Sequence, residues 1–291
     1  MSEPTAYLTV PTTEGRVQQA YRALRILAEA QTVRLMVTPE PCALLLDELA
    51  SACTALQSGS AGLTCVILDF GASPRQSEAG GLSGAGCRPG GGEAAKLRNE
   101  AERAAALVRA VPQPVLAVVR ESLSEAASVL VRAADLVLVA REASFVAPVG
   151  GVRGPGRLSG EQAMRLGQAT WLAPARQLDR KLEEVLALLR RSSATALRQA
   201  KTAVRLALRS LSPVEGLPSS PWLEPGSFSL PLPTEDEDEE ARRLRESRAR
   251  LEALRRVNSF YLSEVSRSVD AQEGLRAFLE KRAPRWQQQQ E

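Results

Sequence analysis

The side chains that most often carry out protein chemistry are sparse in this sequence. The 291 residues contain no histidine, and the four cysteines, at positions 42, 53, 65 and 87, show no CxxC spacing. A zinc site needs clustered Cys and His ligands, so no metal site is expected, and the cysteines are expected to be buried apolar side chains or free surface thiols. Ser124 and Ser128 have no histidine to activate them, which excludes a serine-nucleophile triad in its usual form.

Composition excludes several classes of partner. The chain carries 37 basic and 34 acidic residues, and this balance gives no phosphate-backbone footprint, so nucleic acid is not an expected partner. Residues 1–10 lack the apolar core of a signal peptide, and no run of about 18 apolar residues could span a bilayer. We therefore expect no membrane association and a cytoplasmic location.

Alternating apolar segments predict an α/β fold. Short apolar runs predict buried strands at residues 33–37, 63–68, 115–119 and 136–140. Helical spacing predicts helices at 42–56 and 93–110, and a small-residue segment predicts another at 122–132. Glycine-rich segments predict loops at 77–92 and 150–160.

The C-terminal part of the sequence is mostly helical. Helical spacing covers residues 162–209, with a break at 173–174, and returns over 239–267 and 272–281. Between them, residues 212–233 hold six of the chain's 18 prolines and predict an extended linker. The acidic run 235–240 is expected to be a solvated surface at the start of the next helix.

Four segments, in order, resemble the crotonase (enoyl-CoA hydratase/isomerase) superfamily. They are VRLMVTPEP at 33–41, VPQPVLAVV at 111–119, ADLVLVAREASF at 134–145 and EGLRAFLEKRAPRW at 273–286. The approach to the last segment, FYLSE at 260–264, is most similar to the cyclohexadienecarbonyl-CoA hydratase branch. The resemblance implies a crotonase-like α/β fold, a spiral β-β-α core with a C-terminal α-helical extension.

The resemblance also implies an oxyanion hole made of two backbone N–H groups that bind a thioester carbonyl. The second of these turns is a run of three glycines in the family, and Glu125, Ala126 and Ala127 occupy it here. Ala126 is the matching donor, which requires that its φ stay negative. The first turn is similar to LSGAGC at 82–87, with Ala85 as the matching donor and Cys87 in place of an acidic residue.

The two catalytic glutamates of the family's hydratases are missing. Val129 and Val149 occupy their positions, and valine can neither accept nor donate a proton. Glu125 is the candidate replacement because it lies in the oxyanion turn, with Glu121 on the same turn. The alternative is that both are solvated residues at a helix start, where acidic side chains are favoured.

Further roles follow from the resemblance. Phe278 and Lys281 match the positions that contact coenzyme A, although a core phenylalanine beside solvated basic residues would give the same pattern. Arg34 and Arg88 could also reach phosphates, and Asp135 matches a buried, hydrogen-bonded supporting residue. The expected partners are an acyl-CoA and further copies of this chain, as a trimer or hexamer, with no cofactor beyond the coenzyme A of the substrate.

Three functional hypotheses remain open at this stage. The first is an acyl-CoA hydratase or isomerase, and the second is a crotonase pseudoenzyme that binds CoA esters or a protein partner without turnover. The third, a helical interaction protein, would rest on the Arg/Glu-rich residues 239–256. The predicted regions are an N-terminal segment (1–31), the crotonase-like α/β core (32–210), a proline-rich and acidic linker (211–238), a C-terminal helical region (239–286) and a disordered tail (287–291).

Overall fold

A computed structural model describes residues 21–29, 31–59, 62–71, 91–147, 156–210 and 239–286. The chain divides into two compact units. The first comprises residues 1–148 and 155–190, and the second comprises residues 149–154 and 191–291.

A six-stranded sheet forms the centre of the first unit. Its strands are ordered β1-β2-β3-β4-β5-β8, where β1 is Arg25–Glu29, β2 Thr32–Val37, β3 Cys65–Phe70, β4 Val115–Val119, β5 Leu136–Ala140 and β8 Trp171–Ala173. β1 pairs antiparallel with β2, and every other neighbouring pair is parallel. β3 and β4 are buried at every position, as expected of central strands in a parallel sheet that is covered on both faces.

In the described part of this unit, five α-helices and a hairpin surround the sheet, with a 3-10 turn at Ala175–Gln177. The helices are α1 Ala43–Gly59, α2 Gly91–Ala110, α3 Glu125–Val131, α4 Gly160–Arg165 and α5 Leu178–Arg190. The hairpin pairs β6, Ser144–Ala147, with β7, Gly156–Ser159, in antiparallel register. α2 packs against both α1 and α3, so α3 begins at the carboxyl end of β4 with α2 beside it.

The second unit is helical. It contains α6 Ala194–Ser210, α7 Glu239–Phe260, a π-helical turn at Tyr261–Val265 and α8 Val269–Leu279. α6 packs against both α7 and α8. The buried Ser193, just before α6, donates a hydrogen bond from its hydroxyl to Asp270 Oδ2 at 2.5 Å, which fixes the start of α8.

The four strands expected from apolar runs are confirmed as β2 to β5, and the helices expected at 42–56, 93–110 and 122–132 are confirmed as α1, α2 and α3. Three local predictions were incomplete or wrong. β1 lies inside the N-terminal segment 1–31 and was not foreseen, although the N–H groups of residues 22–24 before it are held by the Glu48 carboxylate.

Two further errors concern residues 150–173. The predicted loop 150–160 contains β7 and the first residue of α4, and its residues 150–155 lie outside the described part of the chain. The predicted helical stretch from 162 contains β8 at 171–173, which joins the sheet beside β5. These strands have four and three residues, too few for a periodic pattern to reveal.

Candidate functional site

The turn between β4 and α3 is held in place on three sides. The Ser124 N–H donates to Pro39 O at 3.0 Å and the Leu123 N–H donates to Ser144 O at 2.8 Å. The Ser124 hydroxyl accepts the Ala127 N–H at 3.3 Å and so caps α3. The backbone of this turn is therefore fixed by contacts to the β2–α1 connection and to β6.

Arg157 on β7 adds a side-chain clamp to the same turn. Its Nη2 donates to Leu123 O at 3.0 Å, and its Nε donates to Ser144 Oγ at 2.8 Å. Ser144 Oγ also lies 2.9 Å from Ser122 Oγ. No sequence pattern singled out Arg157, because its partners lie 13 and 34 residues away and are met only after the hairpin folds.

Ala126 is the second residue of α3 and is 5% exposed. Its φ is negative, since Lys281 is the only non-glycine residue with positive φ in the described part of the chain. The first N–H groups of a helix have no intrahelical acceptor, and no described residue accepts the N–H of Glu125 or Ala126. The Ala126 N–H is therefore a backbone donor with no acceptor among the described residues.

The two candidate carboxylates lie in different surroundings. Glu125 Oε1 is 3.1 Å from Arg98 Nη1 on α2, and the two side chains are 51% and 54% exposed. Glu121 lies against Gly71 at the end of β3: a Cβ on Gly71, whose φ is +90°, would come within 2.6 Å of Glu121 Oε1. Glu125 is thus already paired with a cation, and no pattern in the sequence indicated Arg98 as its partner.

Val129 and the serines in and next to α3 have structural roles. Val129 is 1% exposed and belongs to the apolar core. The Ser128 hydroxyl donates to Ser124 O at 2.6 Å and accepts the Val146 N–H at 2.9 Å, so Ser124 and Ser128 both support the backbone. Ala85, Cys87, Arg88 and Val149 lie outside the described residues.

A charged network lies beneath the turn. The fully buried Asp69 accepts hydrogen bonds from Arg120 Nε at 2.7 Å and Nη2 at 3.1 Å, and Arg34 Nη1 lies 3.8 Å from the same carboxylate. Burial alone lowers the pKa of Arg120, but hydrogen bonds to Asp69 and Asp179 outweigh it and raise that pKa. Arg34 is 16% exposed and belongs to this network, an arrangement that leaves it little capacity to bind a phosphate.

Asp135 takes the supporting role that was expected of it. Its Oδ2 accepts the Val115 N–H at 2.7 Å at the start of β4, while its side chain is half-buried rather than fully buried. Among the cysteines, Cys53 and Cys65 are buried and Cys42 is exposed, and none of these three forms a disulfide bond.

In the second unit, Phe278 is 79% exposed, which rules out its alternative reading as a core residue. α8 ends three residues before Arg282, and Lys281 has a φ of 54°. Arg282 donates two hydrogen bonds to Glu273, at 2.6 and 3.0 Å, and the Arg285 N–H donates a third at 2.8 Å. These bonds lower the pKa of Glu273 to about 2.

The tail that follows α8 is fixed by Trp286. Its indole N–H donates to Arg191 O at 2.9 Å. Its ring lies where a Cβ on Gly274 would meet it at 3.5 Å. Residues 273–286, the last of the four segments that resemble the crotonase superfamily, are therefore linked by contacts within the second unit.

The described residues show neither a metal-binding cluster nor a membrane-spanning helix. The described residues contain no group of three or more Cys, His, Asp or Glu side chains able to hold a metal ion. Within the same ranges, no helix is long and apolar enough to cross a membrane.

Comparison with known proteins supplies the fold class. No protein-family model and no curated protein matches the chain. Solved structures do: a putative enoyl-CoA hydratase from Streptomyces coelicolor A3(2) has a TM-score of 0.59 at 17% identity, covering 99% of this chain and 100% of its own. An enoyl-CoA hydratase from Mycobacterium smegmatis has a TM-score of 0.59 at 17% identity, covering 91% and 99%. One from Polaromonas sp. JS666 has a TM-score of 0.57 at 19% identity, covering 91% and 100%.

The chain has the crotonase fold, as the resemblance predicted. The match extends over nine-tenths or more of the chain and so includes its C-terminal helices.

Proposed function

We propose that this protein binds an acyl-CoA thioester, with the thioester carbonyl accepting a hydrogen bond from the Ala126 N–H. The observation that carries the proposal is the fixed turn, which presents this N–H without an acceptor among the described residues. The crotonase fold and the hydratases that share it support the same ligand class. The second donor of the oxyanion hole is the Ala85 N–H, by resemblance to the family.

Two such donors would stabilise negative charge on the carbonyl oxygen as a proton leaves the neighbouring carbon or as water adds to the double bond. Preorganised donors of this kind contribute about 3–4 kcal/mol each to the transition state. They act through the backbone, so loss of the glycine run does not remove them. The Cβ atoms of Ala126 and Ala127 narrow the approach of a thioester to these donors.

If the protein turns its ligand over, Glu125 is the proton-transferring carboxylate, and the reaction is hydration or isomerisation of a C=C bond. Val129 and Val149 cannot serve, because neither side chain transfers a proton. Glu125 is one residue from the carbonyl-binding N–H and is held by Arg98. A substrate that releases it from Arg98 would leave its carboxylate free to act.

The second candidate function is a pseudoenzyme that binds a CoA ester or a protein partner and does not transform it. The burial of Val129 in the apolar core favours this candidate, because no water could be activated from that position. In both cases Phe278 and Lys281 contact coenzyme A, and the exposed Phe278 ring is accessible for stacking.

Assembly as a homotrimer or hexamer is part of the same proposal. Several apolar side chains of the π-helical turn and α8 are more than half exposed, which is typical of a surface that another chain covers. They are Tyr261, Leu262, Val269, Leu275 and Leu279. Sedimentation equilibrium tests the assembly, and a cytoplasmic location is proposed with it.

Calorimetric titration with acetyl-CoA and crotonyl-CoA is the experiment that tests ligand binding. Coenzyme A is common to both ligands, so the test depends little on the acyl group. Saturable binding in the micromolar range is expected. No binding at millimolar ligand would refute both the enzyme and a CoA-ester-binding pseudoenzyme.

Activity is then tested with Glu125→Gln, which keeps the size of the side chain and removes its proton transfer. Hydration of crotonyl-CoA that proceeds equally well in this variant would remove Glu125 from the mechanism. Wild-type protein that binds both thioesters and turns neither over would establish the pseudoenzyme.

A further inference from the structure

Five charged side chains meet between α2 and α3, beside the turn that holds Ala126. Arg98 pairs with Glu125 at 3.1 Å, and Arg132 Nη2 lies 3.8 Å from Glu102 Oε1. Arg109 is the fifth charged side chain, and its buried Nε–H has no hydrogen-bond acceptor among the described residues. Three guanidinium groups thus face two carboxylates, an excess of one positive charge.

The excess of positive charge acts on Arg132. Its side chain is 18% exposed and also donates a hydrogen bond to Val146 O at 3.1 Å. Burial lowers the pKa of this guanidinium, and the charges of Arg98 and Arg109 lower it further, against the opposing effect of Glu102 and Glu125. An additional anion in this cluster would relieve the repulsion among the three arginines.

Arg98 is the accessible member of the cluster. Its side chain is 54% exposed, and the side chain of its partner Glu125 is 51% exposed. An ion pair this accessible to water holds its partners weakly, by about 0–1 kcal/mol. The guanidinium group carries five N–H donors, so Arg98 can bind a ligand carboxylate in addition to Glu125.

The distance from Arg98 to the carbonyl-binding N–H fits a short acyl chain. Covalent geometry places the Ala126 nitrogen within roughly 6 Å of the carboxylate of the preceding residue. That carboxylate is 3.1 Å from Arg98 Nη1. A carbonyl bound at Ala126 and a carboxylate bound at Arg98 therefore lie at the two ends of a chain of a few carbons.

We propose that the preferred ligand is the CoA thioester of a short dicarboxylic acid, with its free carboxylate bound by Arg98. The inference rests on the proposed binding of an acyl-CoA and adds the substrate class.

The test compares glutaconyl-CoA with crotonyl-CoA, because the acyl groups of these two thioesters differ only by the terminal carboxylate. Calorimetric titration of the full-length protein is expected to give about fivefold tighter binding of glutaconyl-CoA, the magnitude of a half-exposed charge pair. In Arg98→Gln the ratio of the two Kd values is expected to fall to about one. In Glu125→Gln, where the competing carboxylate is gone, the ratio is expected to rise.

Arg103→Gln is the matched control. Arg103 is also on α2 and also forms an exposed ion pair, with Asp47 at 3.2 Å, but on the side of the helix that faces α1. This variant is expected to keep the wild-type ratio, and the far-ultraviolet circular dichroism of both arginine variants checks that they fold.

Each other outcome has a definite meaning. Equal affinity of wild-type protein for the two thioesters, or a preference that survives Arg98→Gln, overturns the inference and leaves the proposed function intact. Equal weakening of both ligands in Arg98→Gln would show that Arg98 binds coenzyme A phosphates, which also overturns it. Failure of both thioesters to bind wild-type protein refutes the proposed function, and this inference with it.

Discussion

Replacing Arg120 by methionine would leave the buried carboxylate of Asp69 without its main partner. Asp69 is fully buried, and Arg120 supplies it with two hydrogen bonds, at 2.7 and 3.1 Å. The nearest remaining cation, Arg34, is 3.8 Å away and offers a poorer contact. Methionine keeps an unbranched side chain of similar length, so the effect of the substitution is mainly that of losing the charge and the hydrogen-bond donors.

The expected loss is large because the carboxylate cannot regain water. Removing one partner of a buried ion pair costs about 3–5 kcal/mol, against a total stability of about 5–15 kcal/mol for a typical domain. The outer part of the network gives the matched control. Asp179 accepts from Arg120 Nη2 at 2.7 Å but is 75% exposed, and Asp179→Asn is expected to cost less than about 1 kcal/mol.

Urea unfolding followed by circular dichroism measures both variants by linear extrapolation. Arg120→Lys, which keeps the charge but loses the planar pair of donors, is expected to fall between wild type and Arg120→Met. The double variant Asp69→Asn/Arg120→Met should lose less than the sum of the single variants, because the two residues share one interaction. A loss below about 1 kcal/mol in Arg120→Met would refute the assignment of Asp69 as a charge that depends on Arg120.

Three further outcomes are expected. Burial alone raises the pKa of Glu48, but three backbone N–H donors outweigh it and lower that pKa from its ordinary 4.5. The ionised Glu48 therefore stabilises the folded state above about pH 4.5, and this stabilisation is lost as the pH falls through the pKa of the folded state. Glu48→Gln should flatten this part of an acid-unfolding curve, and an unchanged curve would contradict it. Gly160→Ala should cost more than about 2 kcal/mol, because its Cβ would meet a backbone carbonyl oxygen at 2.4 Å, whereas Gly274→Ala meets ordinary contacts at 3.5 Å and should be neutral or stabilising in urea unfolding. Arg282→Gln should raise the pKa of Glu273 from about 2 towards 4.5 in a carboxyl NMR titration, and a value that stays near 2 would show that other donors hold it.

The sequence by itself determined the central strands and the helices between them. β4 and β5 were foreseen to the residue, because continuous runs of valine, leucine and alanine are typical of strands buried on both faces. The apolar spacing that predicted α1 and α2 likewise depends only on residues that are close in sequence. The fold class followed from four segments in order, and the comparison with solved structures confirms it.

Short edge elements were decided by the tertiary structure. β1 has an exposed–half-buried pattern and β8 has three residues, so neither carries a local signal as strong as that of a central strand. Each becomes a strand because a neighbour offers it unpaired backbone groups: β2 for β1 and β5 for β8.

In the candidate site, too, the sequence determined some features and the tertiary structure determined others. The turn that contains Glu125 and Ala126 was located from the sequence, because consecutive residues of one turn stay together in any fold. Arg98 and Arg157 reach that turn from α2 and β7, and Arg120 meets Asp69 across 51 residues of chain. Such partners depend on which helix packs beside which strand, so side-chain pairing, and with it the charge around the bound ligand, was settled only when the sheet and helices assembled.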